Sequence, residues 1–148
     1  MIGKLLLTHG GLAEELFAAA QKISSGKLAG CEALSLGWDE SPEAVRRRVE
    51  QAVTRLDSGD GVLILTDIHG GTPTNAAMAC HRPGRVEVLT GLNLPMVVRL
   101  ACQTTEPGGV TEVARRLQEK VRASICLGSD MVSARREEPE AEPVAAKR

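Results

Sequence analysis

A histidine and an aspartate each close an apolar run of the chain, and glycines follow both of them. His9 comes after the run 2–8, and Asp67 ends the run 61–67. A neutral imidazole is nucleophilic, and a carboxylate bonded to one ring nitrogen fixes the tautomer and leaves the other nitrogen free to attack. We therefore expect His9 to act as a nucleophile and Asp67 to orient it and to stabilise the positive ring that develops.

The glycines indicate a site for an anion beside these two residues. Gly70, Gly71 and Thr72 precede a proline that is typical of a first helical turn. Such a loop lets backbone N–H groups converge on an anion, and the helix that follows presents its positive end to the same space. Gly10 performs a similar role after His9. Phosphoryl transfer needs alignment and charge stabilisation, so we predict phosphate binding at Gly10, Gly70, Gly71 and Thr72.

Apolar runs alternate with segments of helical periodicity, which predicts an α/β fold with a parallel sheet covered on both faces. The predicted strands are 2–8, 31–36, 61–67 and 86–90, with a further short strand at 123–127. The predicted helices are 12–24, 42–57, 72–80, 95–102 and 111–121.

The topology of such a sheet places the two chemical residues together. In the common doubly wound orders, strand 1 lies between strands 2 and 3, and ligands bind where the winding reverses, beyond the carboxyl ends of the strands. His9 follows strand 1 and Asp67 ends strand 3. Because neighbouring strands lie about 4.8 Å apart, the two side chains are expected to touch.

Composition excludes several classes of function. The chain has 148 residues, a net charge of -1 and only two aromatic residues, Phe17 and Trp38, so neither a basic surface nor a set of stacking rings is available for nucleic acids. There is no P-loop and no dinucleotide-binding motif. The four cysteines form no CxxC pair, and we expect reduced, buried thiols and no metal or cofactor.

The ends of the chain carry expectations about location and order. No apolar run approaches the ~20 residues that cross a bilayer, and no signal peptide is recognisable, which favours the cytoplasm. The apolar pattern fails after residue 128. We therefore expect one domain over 1–128 and a disordered, charged tail over 129–148.

In three segments the chain resembles the mannose-type IIA component of the bacterial phosphoenolpyruvate-dependent phosphotransferase system. The segments read THG at 8–10, LTDIHGGTPTNAA at 65–77 and TGLNLPM at 90–96, and the resemblance extends over residues 1–127. It implies a flavodoxin-like sheet of strand order 2-1-3-4. It also implies that His9 accepts a phosphoryl group from the carrier HPr and passes it to a IIB component in sugar uptake. Asp67 matches the family's partner carboxylate, and Thr72 matches its small hydroxyl residue.

The same resemblance implies a homodimer in which the C-terminal strand, here 123–127, is exchanged between subunits. Two features depart from the family. His69 stands where Trp or Tyr is expected, and either influences His9, contacts a partner or is simply an exposed loop residue. No IIB domain follows, so a regulatory phosphocarrier or a phosphotransfer subunit of a dihydroxyacetone kinase is the alternative.

Two further interpretations stay open from the residues alone. A flavodoxin-like module that binds a small ligand, without being phosphorylated itself, would use the same loops, although the chain lacks aromatic residues to stack a flavin. Trp38 follows the second strand. We expect it to cover the edge of the core, with contact to a partner protein as the alternative.

Overall fold

The computed structural model describes residues 1–25, 28–102 and 108–131. They form an α/β fold in which one sheet lies between two layers of helices. Its sheet contains four strands: β1 (Gly3–His9), β2 (Cys31–Leu36), β3 (Val62–Thr66) and β4 (Val86–Thr90). All neighbours pair in parallel, in the order β2-β1-β3-β4. The predicted fold class and strand order are therefore confirmed.

In the described part of the chain, five helices cover the two faces of this sheet. They are α1 (Leu12–Ile23), α2 (Pro42–Leu56), α3 (Thr72–Ala79), α4 (Leu94–Cys102) and α5 (Val110–Arg122). Leu6 of β1 packs with α1, α4 and α5 on one face, whereas Leu5 and Leu7 pack with α2 and α3 on the other. This alternation follows from the two-residue period of a strand, and it explains why residues 5–7 of β1 and 62–65 of β3 are continuously apolar.

The boundary between β2 and α2 shows how local sequence begins a helix. Ser41 has extended backbone and its side-chain oxygen accepts a hydrogen bond from Ala44 N–H at 3.2 Å. Pro42 occupies the first turn, where its missing N–H costs nothing and its fixed φ suits a helix. The predicted start of this helix is confirmed.

Element ends differ from the predictions by one or two residues. His9 is the last residue of β1, whereas the sequence placed it after the strand, and Asp67 lies one residue beyond β3. Such shifts are expected, because the final hydrogen bond of a strand depends on its neighbour and not on local sequence.

The C-terminal segment differs more. Residues 123 and 124 form a turn and residues 125–127 have no regular structure, so a single chain forms no strand there. Exchange with a second subunit stays a prediction. Of the predicted disordered tail, residues 129–131 belong to a helical turn over 128–131, and residues 132–148 lie outside the described residues.

Candidate functional site

His9 and Asp67 meet at the carboxyl edge of the sheet. Oδ2 of Asp67 lies 2.9 Å from Nδ1 of His9 and accepts a second hydrogen bond, from the His9 backbone N–H, at 3.0 Å. The side chain of Asp67 is 10% exposed and that of His9 is 26% exposed. One carboxylate oxygen thus holds both the backbone and the ring of the histidine, and the ring is still open to solvent.

The sheet register brings the two residues into contact. Leu7 of β1 pairs with Thr66 of β3, so the two strands end at nearly the same level of the sheet. The other oxygen of Asp67, Oδ1, accepts the N–H of Ile68 at 2.9 Å and fixes the carboxylate plane. Because β1 and β3 are 53 or more residues apart in sequence, only the parallel pairing creates this contact.

The environment keeps Asp67 ionised. Burial by itself raises its pKa, but the hydrogen bonds from the His9 backbone, the His9 ring and the Ile68 N–H outweigh burial, and the pKa of Asp67 is lowered overall. A charged carboxylate next to Nδ1 favours the tautomer with the proton on Nδ1, which leaves the lone pair on Nε2.

Gly71 approaches the ring of His9 closely. A Cβ atom at this position would lie 2.7 Å from Cε1 and 3.2 Å from Nε2 of His9, which is too near for any side chain. The backbone of Gly71 has φ -82° and ψ 173°, values that any residue adopts. The glycine is therefore required by the proximity of the imidazole and not by its own backbone conformation.

A buried pair of threonines fastens the loop that carries Asp67 and Gly71. The hydroxyl groups of Thr66 and Thr74 lie 2.7 Å apart, and the Thr74 hydroxyl donates to Ile68 C=O at 2.5 Å. Both side chains are at most 4% exposed. The sequence analysis did not identify these two residues. They could have been found because each is a polar residue at a position that the periodicity of its strand or helix predicts to be buried.

The start of α3 is open to an anion. No side chain caps this helix end. Its first residue, Thr72, is exposed, and its second residue, Pro73, has no N–H. Gly70 has φ +84°, a left-handed conformation that glycine adopts without strain. The loop 70–72 thus brings uncapped N–H groups and a positive helix end to the neighbourhood of Nε2.

Gly10 contributes in a different way from the other predicted phosphate ligands. Its N–H already donates to Leu36 C=O at 2.9 Å, so it is not a free donor. Its φ of +52° turns the chain sharply between His9 and α1. The hydroxyl of Thr8 then accepts the N–H of Ala13 at 2.9 Å and stabilises the start of that helix.

Trp38 does not cover the core edge as predicted. It is 80% exposed, in the loop after β2, and its indole ring is stacked on the ring of His9 with centroids 5.7 Å apart and an angle of 21°. The prediction failed because β2 pairs with β1 in parallel and Leu36 is level with His9, so the loop after β2 lies beside the loop that follows His9.

The other side chains that could react or bind a metal are exposed or lie apart from His9 and Asp67. His69 is exposed in the loop after Asp67. Cys80 is buried and Cys31 is half-buried, but Cys126 is exposed, against expectation. Within 1–25, 28–102 and 108–131, no three His, Cys, Asp or Glu side chains are grouped to hold a metal ion. None of the helices in the same ranges is both long and apolar enough to span a bilayer.

Most of the chain matches a known protein family and several characterised proteins. The family model described as "PTS system fructose IIA component" (EIIA-man) matches residues 3–124. The chain is 31% identical over 105 residues to the "PTS system fructose-specific EIIA component" of Bacillus subtilis (strain 168), covering 68% of each protein. It is 33% identical over 97 residues to the "PTS system mannose-specific EIIAB component" of Escherichia coli (strain K12), covering 62% of this chain and 28% of that protein.

Solved structures include a mannose/sorbose-specific IIA subunit of the phosphotransferase system from Enterococcus faecalis. It superposes with a TM-score of 0.74 and 29% identity, over 85% of this chain and 93% of that one. The match to the family model covers more than half of the chain and includes both His9 and Asp67. The chain therefore belongs to the mannose- and fructose-type IIA components of the phosphotransferase system, which are phosphotransferases that carry a phosphohistidine.

Proposed function

We propose that this protein accepts a phosphoryl group from phospho-HPr on Nε2 of His9 and passes it to a histidine of a IIB component. The observation that carries the proposal is the hydrogen bond of 2.9 Å between Nδ1 of His9 and Asp67. It occupies one ring nitrogen and leaves the lone pair of the other, Nε2, to attack the phosphoryl group. The ring is partly exposed, as transfer between two proteins requires.

The proposed step forms one P–N bond and breaks another, and no other covalent bond changes. The lone pair on Nε2 of His9 attacks phosphorus, the P–N bond of the donor breaks, and the donor imidazole leaves with the bonding electrons. The proton on Nδ1 stays between His9 and Asp67. The carboxylate, which its low pKa keeps charged, offsets the positive charge that the His9 ring acquires.

The phosphoryl oxygens would be bound by the loop 70–72. Gly71 lies beside the ring, since a Cβ atom there would be 3.2 Å from Nε2, and the uncapped first turn of α3 offers N–H groups and a positive dipole end. Thr72 begins this helix and can add its hydroxyl. Gly10 supports the site through its turn, since its N–H is engaged.

The proposed acceptor is a IIB component. The name of the Escherichia coli relative joins A and B components in one protein, and the similarity to this chain covers 28% of its length. Transfer to a IIB partner places the protein at the cytoplasmic side of a sugar transporter.

We also propose a homodimer formed through β4. This strand is at the edge of the sheet. Among the described residues no further strand pairs with its outer side, beyond a single bridge between Arg82 and Val86, and such an edge in many proteins pairs with another chain. Ile125 and Leu127 are 82% and 67% exposed, and a groove of about 320 Å³ lies between β4, α5 and Ile125. Sedimentation velocity should give a dimer that Ile125→Asp weakens; a monomer at all concentrations of the native chain would contradict this.

The phosphorylation proposal is tested with radiolabelled phosphoenolpyruvate, enzyme I and HPr. The native chain and His81→Ala should be labelled equally, whereas His9→Ala should take up no label. His81 is a suitable control because it follows the far end of α3 and lies 3.4 Å from Glu87 of β4. Phosphorus NMR of the product should identify the Nε2 isomer. Label on His9→Ala, or none on the native chain, would refute the assignment.

A further inference from the structure

The stacking of Trp38 on His9 has the geometry of a favourable aromatic pair. Ring centroids 5.7 Å apart with an angle of 21° fall in the range of offset-stacked rings. Trp38 nevertheless buries little else, since four fifths of its surface is exposed. Packing in the core therefore does not account for the position of this ring.

The loop that carries Trp38 is fastened from both sides. Gly37 N–H donates to Oε1 of Glu40 at 2.5 Å, and Arg48 of α2 bonds the same carboxylate at 2.5 and 2.6 Å. Arg48 also donates to Ser35 C=O at 3.0 Å. These bonds, that of Arg48 first, lower the pKa of Glu40, so the carboxylate stays charged and the loop stays tied to α2.

The turn at Gly10 joins this loop to the one that carries His9. Gly10 N–H donates to Leu36 C=O, just before Gly37. A Cβ atom at Gly10 would lie 3.7 Å from the indole ring of Trp38, so the two loops are in van der Waals proximity. The indole is therefore held over the imidazole by two loops that follow neighbouring strands, β1 and β2.

We propose that Trp38 is a positioning residue for phosphoryl transfer at His9. Its ring covers part of the imidazole, restricts rotation of that ring away from Asp67, and keeps water from one side of the phosphohistidine. The inference rests on the proposed phosphorylation of His9. Asp67 fixes Nδ1 and Trp38 limits the tilt of the ring plane, so that Nε2 stays directed to the incoming phosphorus.

The stacking can be measured directly because the chain has one Trp and no Tyr. Trp fluorescence then reports on this ring alone. We expect the emission of His9→Ala, which lacks the imidazole, to differ from that of the native chain. We also expect the emission of the native chain to change when it is phosphorylated. An Ile23→Ala variant, altered at an exposed apolar side chain at the far end of α1, should leave the emission as it is. Identical emission from native and His9→Ala chains would overturn the stacking.

The positioning role is tested by two rates in Trp38→Ala and Trp38→Phe. A stacked pair is worth a roughly two- to tenfold effect on a rate, so Trp38→Ala should slow transfer from phospho-HPr about fivefold at saturating donor. The isolated phosphoprotein should also hydrolyse faster. Trp38→Phe retains an aromatic plane and should restore most of both rates, and Ile23→Ala should match the native chain.

The outcomes separate this inference from the proposed function. A native chain that takes up no label would refute the phosphorylation of His9. A native chain that is labelled, with Trp38→Ala equal to it in both rates, would overturn the role of Trp38 alone. If Trp38→Ala only raises the KM for phospho-HPr and the phosphohistidine lifetime is unchanged, Trp38 serves donor docking and the positioning role is wrong.

Discussion

A single oxygen of Asp67 holds His9 at two points, the backbone N–H at 3.0 Å and the ring Nδ1 at 2.9 Å. The backbone bond fixes where β1 ends, and the ring bond fixes the direction of the imidazole. Because the same atom makes both bonds, the orientation of the ring is coupled to the end of the strand. A change at Asp67 therefore acts on the geometry of the site as well as on its charge.

Asp67→Asn should lower the rate of phosphoryl transfer by about 100-fold or more. The amide that replaces the carboxylate is neutral, and its NH2 group favours the tautomer with the proton on Nε2, which removes the nucleophilic lone pair. Rapid-quench labelling from phospho-HPr measures the rate. Asp57→Asn is the control, since Asp57 also accepts a backbone N–H, but its side-chain partner is Arg85 and it lies at the other end of the sheet. Native transfer by Asp67→Asn would contradict the orienting role.

Gly71→Ala should slow transfer much more than Gly11→Ala. The added methyl would lie 2.7 Å from Cε1 of His9, so the imidazole must move from its bond with Asp67. A Cβ atom at Gly11 meets nothing within 4 Å, and its φ of -78° is ordinary. We expect a loss of about tenfold or more for Gly71→Ala and near-native labelling for Gly11→Ala. The prediction fails if both variants are labelled alike while both stay folded.

Thr74→Val should destabilise the protein by about 1–3 kcal/mol, because it leaves the buried Thr66 hydroxyl and Ile68 C=O without their partner. Thr54→Val makes the same chemical change on an exposed side chain, whose hydroxyl bonds Glu50 C=O within α2. It should cost a few tenths of a kcal/mol at most. Urea unfolding measures both free energies, and equal values for the two variants would refute the role of Thr74 in fastening the loop.

The low pKa of Asp67 predicts a dependence of stability on pH. Its pKa in the folded chain lies below the ordinary value of 3.8, so its contribution to the free energy of unfolding is fully present above that value. The contribution is lost as the pH falls through the folded pKa, because the unfolded chain binds the proton more readily. The difference in unfolding free energy between native and Asp67→Asn chains should therefore be constant near neutral pH and shrink below about pH 4. A difference that grows in acid would contradict the direction of the pKa shift.

The sequence was sufficient for the sheet order, the main helices and the pairing of His9 with Asp67. The buried strands are continuous apolar runs, and Ser41-Pro42 marks a helix start, so local chemistry indicates these elements. The parallel, alternating order then leaves few topologies, and each common one places the ends of strands 1 and 3 together.

Other features depend on where distant segments meet, which no local pattern contains. Gly71 and Trp38 lie 62 and 29 residues from His9, yet both are placed by the packing of loops at one edge of the sheet. Whether a loop tryptophan covers the core or stacks on a histidine is decided by which strand lies beside it. The sequence thus predicted which residues would carry the chemistry. The tertiary structure alone decided which ring nitrogen is held and which side chains surround it, because those contacts arise only when separate strand ends converge.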